Sequence, residues 1–161
     1  MTAEFPGYPA WLGQGLLGTD FPWHLAQVRS FSPFLEQYSL HGSRWIGLFT
    51  DVAYGQSVTL VLDWNPASLP PSMRARLDSP HHWLFLLIRL EEVEQISLSG
   101  YEDLLPGVKL QRTIATAEYT ALDGKQLFAL QDRAEGTVAI IFSGAIALLA
   151  LDESGDPVSL V

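Results

Sequence analysis

A mainly β, antiparallel fold, either a sandwich or a strongly curved sheet of about eight strands, is what this sequence predicts. Three observations carry that expectation. Short runs rich in β-branched and aromatic residues recur between Arg44 and Leu151. Turn-forming residues separate them, most clearly Asp123-Gly124, the two-residue signature of a tight hairpin. Helical signals are sparse, so one short helix and an irregular N-terminal arm complete the β-rich domain.

Residues 1–22 are that arm. Pro6, Pro9 and Pro22 are interspersed with Gly7, Gly13, Gly15 and Gly18, which leaves room for about one helical turn. Tyr8, Trp11, Leu12, Leu16, Leu17 and Phe21 lie among them and gain by burial. The arm is therefore expected to pack on its own domain, covering an edge, or to join two copies into a homodimer. Ser32-Pro33, followed by Phe34, Leu35 and Tyr38, marks the short helix.

Arg44 to Val52 and Ser57 to Trp64, separated by Ala53-Tyr54-Gly55-Gln56, read as an antiparallel hairpin. In its second run Val58, Leu60 and Leu62 share a core face. Residues 65–80 carry Asn65-Pro66, Pro70-Pro71 and Ser79-Pro80 and form a loop, with a helical turn around Met73 to Leu77. Trp83 to Tyr101 is locally ambiguous. Ser79-Pro80 would open a helix reaching about Gln95. Its apolar residues would then cover the whole circumference, with Glu91, Glu92 and Glu94 following abruptly. Alternation of Leu84, Leu86, Ile88 and Leu90, resumed at Ile96 and Leu98, favours two strands instead. Thr113 to Leu122, Lys125 to Asp132, Thr137 to Phe142 and Ile146 to Leu151 complete the set as a four-strand meander. The last two are apolar on both faces, so they are expected to be central or covered.

With 161 residues the chain is expected to be a single domain, 1–161, burying roughly 70% of its unfolded surface without staples. It has no cysteine, which excludes disulfides and thiolate metal sites and suits a cytoplasmic protein. Nine basic residues against eighteen acidic ones give a net charge of −9, and the basic residues are scattered. Phosphate backbones would be repelled, so nucleic acid is not an expected partner. A basic protein partner is favoured, through a faster encounter. No membrane association is expected, since the uncharged stretch Val138 to Leu151 is shorter than the ~18 residues a spanning helix needs. The N-terminus lacks the basic and apolar regions of a secretory signal.

Catalytic motifs are missing. There is no G-x-S-x-G elbow, and Ser43, Ser99 and Ser143 lack a local acid or base. His81-His82 beside Asp78 would not chelate as a strand pair, because neighbours on a strand point to opposite faces. No glycine-rich phosphate loop occurs. Asp152-Glu153-Ser154-Gly155-Asp156 opens like a calcium loop but reads as a polar turn. No catalytic residue, metal or cofactor is assigned. The expected function is non-catalytic protein binding through an acidic ridge, Glu91, Glu92, Glu94, Glu102 and Asp103, with Trp83 and Tyr101 as aromatic anchors. The alternative is a small-molecule pocket between the sheet and the arm Tyr8 to Trp23.

LHGSRWIGLFTDV, then QSVTLVLDW, then WLFLLIRLEEVEQISLSGY, together spanning about Leu40 to Tyr101, resemble the Immunity protein 50 family of bacterial toxin-immunity systems. The shared features are a His-containing turn at Leu40 to Ser43, a hairpin ending in Asp63, a crossing at Pro70-Pro71, and a strand pair closing on Leu98-Ser99-Gly100-Tyr101. The resemblance implies a protein that binds and neutralises a toxin domain and has no enzymatic activity.

Overall fold

A computed structural model describes residues 9–18, 21–28, 34–36, 38–51, 56–65, 67, 69, 71, 84–99, 112–133 and 136–158. In chain order these form helix α1 (Ala10–Gly18), a 3-10 turn (Trp23–Leu25) and ten strands. The strands are β1 (Gln27–Val28), β2 (Arg44–Asp51), β3 (Ser57–Trp64), β4 (Leu84–Leu90), β5 (Val93–Ser99), β6 (Arg112–Leu122), β7 (Lys125–Asp132), β8 (Thr137–Phe142), β9 (Ile146–Leu151) and β10 (Pro157–Val158). Residues 34–36 are also helical, and the Tyr38 N–H returns to the Phe34 carbonyl at 2.8 Å. The expected turn around Met73 to Leu77 lies outside the described residues.

The fold class is as the sequence predicts: one antiparallel sheet, curved over itself, in the order β1-β9-β4-β3-β2-β6-β7-β8-β5, with β10 on β9. Leu84–Leu90 and Val93–Ser99 are strands, so the helical alternative is discarded. Leu84, Leu86, Ile88 and Leu90 face one core with Val58, Leu60, Leu62 and Trp64 of β3. Phe128, Leu130, Val138, Ile140 and Phe142 from the other half of the sheet fill the same core. Each such side chain, fully buried, contributes about 1.5–3 kcal/mol of transfer free energy.

Bulges reset the alternation on β2, β6 and β5, the last between Val93 and Gln95. On β2 the register shifts between Trp45 and Gly47, so Trp45 and Leu48 pack in the main core while Ile46 and Phe49 pack on the opposite face. On β6 it shifts between Ile114 and Thr116, so Ile114, Ala117 and Tyr119 all pack on the main core although Ile114 is even-numbered and the other two odd.

The expected four-strand meander is corrected to three. After β6, β7 and β8 the chain turns at residues 143–145 and β9 joins the other half of the sheet, beside β4. β4 and β5 do the same at Glu91-Glu92. The register pairs Leu90 with Ile146 before the corner and Val93 with Phe142 after it, so the two segments form one ribbon bent in the middle. All six residues of β9 are buried, as its two apolar faces require. β8 instead alternates between buried and half-buried positions.

The arm is more regular than expected: Ala10–Gly18 is a nine-residue helix. Glycine costs a helix about 1 kcal/mol per residue, and packing overrides that here. Leu12 is fully buried against Ile46, Val61, Phe85, Leu87, Leu149 and Leu151, the outer face of the first half of the sheet. Trp11 meets Phe85 edge to face at 5.5 Å, and its indole N–H donates to the Glu153 carbonyl at 2.8 Å. The arm thus covers a face, while β1 and β10 lie along the β9 edge.

Candidate functional site

The corner of the bent ribbon holds three of the acids singled out from the sequence. Its tightness depends on the backbone. The Glu91 N–H donates to the Ala145 carbonyl at 3.0 Å, the Gly144 N–H to the Glu91 carbonyl at 3.0 Å, and the Ser143 N–H to the Glu92 carbonyl at 3.1 Å. A Cβ on Gly144 would lie 2.7 Å from the Glu91 carbonyl oxygen, so only glycine allows the two turns to cross this closely. Glu92 takes a left-handed φ of 55°, which costs a non-glycine residue about 1–2 kcal/mol. Behind the corner, the Gln126 amide donates to the Gly144 carbonyl at 3.2 Å and accepts from the Tyr119 hydroxyl at 3.0 Å.

The acids here are not a ridge of lone carboxylates. Glu91 is half-buried and sits 3.6 Å from the Arg89 guanidinium, which lies 4.4 Å over the Trp23 ring. Glu92 is exposed and accepts from the Ser143 hydroxyl at 3.3 Å. Glu94 is exposed and pairs with the Lys125 ammonium at 2.7 Å. Trp83, Tyr101, Glu102 and Asp103 lie outside the described residues.

The strand that leaves this corner was expected from the sequence, but its place at the edge of the sheet was not. β5 ends the sheet, and among the described residues its ladder neighbour is β8 alone. From Glu94 to Ser99 every side chain except half-buried Ile96 is exposed, including Leu98 at 49%. A groove of about 220 Å³ runs beside it, between residues 56–58 and 93–96. The Val93 N–H reaches the Gln56 carbonyl at 3.0 Å, and the two chains diverge from that point. Glu94-Gln95-Ile96-Ser97-Leu98-Ser99 reads as an ordinary alternating strand, and its own residues do not mark it as an edge.

A second cleft, about 330 Å³, lies between residues 35, 38–41 and 115–118. The His41 ring donates through Nδ1 to the Ala115 carbonyl at 2.9 Å, and the Ser39 hydroxyl oxygen accepts the His41 main-chain N–H at 3.1 Å. Ser43 is fully buried, and its Oγ accepts the Asn65 N–H at 3.0 Å, which is a structural task. Asp152 Oδ1 accepts from the Ser154 and Asp156 N–H groups, both at 2.9 Å, and so closes the polar turn read from the sequence. No group of three or more His, Asp or Glu able to hold a metal occurs among the described residues. His81, His82 and Asp78 lie outside them. No described helix is long and apolar enough to cross a membrane. The described part of the arm packs directly on the sheet, and both clefts lie elsewhere.

No protein-family model, no curated protein and no solved structure matches the chain. The likeness to immunity proteins therefore rests on the spacing of residues 40–101.

Proposed function

We propose that this chain is a non-catalytic protein-binding domain whose partner docks on the corner and the strand that leaves it. The observation that carries the reading is that β5 exposes Leu98 on the same strand as the Glu94 carboxylate, with exposed Glu92 at the corner where that strand begins. An apolar anchor beside acid groups is a binding arrangement in which burial supplies affinity and charge supplies encounter rate. The net charge of −9 favours a basic partner over the whole surface. Taken with the resemblance, the partner is a toxin domain held inactive in the cytoplasm.

The test is affinity capture from the native organism at low salt, followed by mass spectrometry and binding kinetics. The control is the triple variant Glu92→Gln, Glu94→Gln, Leu98→Ser. One basic protein, released by high salt and bound by the variant with an on-rate about tenfold lower, is the expected result. The same partner held by the variant with unchanged on-rate and affinity would remove this surface. A metabolite that raises thermal stability, with no protein captured, would replace the reading with a ligand-binding one.

A further inference from the structure

We infer that β5 is a docking strand, taking an extended segment of the partner as the next strand of the sheet. The inference rests on the protein-binding reading and names its mode.

The two ends of the sheet are finished differently. At one end the β9 edge is covered by β1 and β10, each two residues long, and strands that short blunt an edge. At the other, β5 has seven residues and among the described residues pairs on one side only. Protected edges usually carry proline, lysine or an unpaired charge. Val93 to Ser99 contains neither proline nor lysine, and Glu94 is already neutralised by Lys125 at 2.7 Å. The bulge lies at the start of the strand, between Val93 and Gln95, so Gln95 to Ser99 runs in regular register against Ile141 to Thr137.

That geometry fixes the chemistry of the occupant. Ile96 packs on the main core, and Leu98, two residues on, shares its face. Gln95, Ser97 and Ser99 point the other way. An added strand would set apolar side chains beside Ile96 and Leu98, next to the groove whose walls include Val58, Val93 and Ile96, and polar ones beside Gln95 and Ser97. A basic residue at the end nearest the corner would meet the exposed Glu92 carboxylate. The occupant is an alternating apolar and polar segment of about five residues, some 17 Å long, with lysine or arginine at one end.

The probe is a synthetic peptide of about ten residues in which valine alternates with threonine and lysine. Three versions are compared on the full chain by hydrogen exchange: the parent, one N-methylated at alternate residues, and one with glutamate for lysine. The parent is expected to slow exchange at residues 95–99 by about tenfold at saturation, the N-methylated form to do nothing, and the acidic form to bind about tenfold more weakly. Equal protection by parent and N-methylated peptides, or protection confined to other strands, would overturn the inference. So would concentration-dependent self-association that protects residues 95–99, since the occupant would then be a second copy. A captured protein whose footprint covers Glu92 and Glu94 but spares residues 95–99 sinks strand addition and leaves the protein-binding reading standing. Absence of both captured protein and peptide protection removes both.

Discussion

Gly144, packed against Glu91, and Glu92 next to it in the corner break the usual residue rules in opposite ways. Gly144 has a conformation open to any residue but no space for a side chain, because the Glu91 backbone carbonyl fills it. Gly144→Ala is therefore expected to cost about 1–3 kcal/mol, as overpacking against backbone does, and a urea unfolding midpoint would show it. Gly124 has nothing within 4 Å of its missing Cβ but a φ of 69°. Gly124→Ala should cost nearer 1 kcal/mol, from conformation alone. Glu92 holds its left-handed φ because three backbone hydrogen bonds close around it. Glu92→Gly relieves that strain while loosening the unfolded chain, so stability should change by less than about 1 kcal/mol. A loss as large as that for Gly144→Ala would show that the Glu92 carboxylate, through Ser143, matters more than its backbone.

Helix α1 and strand β5 are the two elements whose behaviour follows least from local sequence. α1 has little claim to helicity by propensity, so its stability must come from what Leu12 and Trp11 bury. Leu12→Ala should cost about 2–5 kcal/mol in urea unfolding and raise dye binding to the exposed outer face. A cost below 0.5 kcal/mol would mean that the sheet does not need its cover. Native-state hydrogen exchange should separate the strands: β9, buried at all six positions between β4 and the short edge strands, exchanges slowest. The exposed end of β5 exchanges among the fastest. Similar protection in both would contradict an open edge.

For the molecule as a whole, the acidic surface and the folded core are separate contributions. The Glu94–Lys125 pair is about half exposed on both sides, and exposed pairs contribute roughly 0–1 kcal/mol at most. Glu94→Gln should leave the unfolding midpoint nearly unmoved while lowering the association rate of a basic partner, most strongly at low salt. If it instead destabilises the fold by 2 kcal/mol or more and leaves association unchanged, the carboxylate is structural and the steering role is lost.

The sequence by itself determined the eight longer strands and the inward faces of β3 and β4. Hydrophobic alternation in β3 and β4, and the Asp123-Gly124 turn, are local properties that any packing must respect. It also brought Glu91, Glu92 and Glu94 to one place, since they are near neighbours. The tertiary structure alone decided that β8 and β9 part company. A turn of three residues reads the same whether it closes a hairpin or lets a ribbon change direction, and only the paired register of β4 with β9 and β5 with β8 distinguishes them. It also decided that α1 is helical, because its stability is supplied by Phe85, Leu87 and Leu151, distant in sequence. The exposure of β5 has the same cause. Whether a strand is an edge depends on which strands never reach it, and that information is not carried by the strand's own residues.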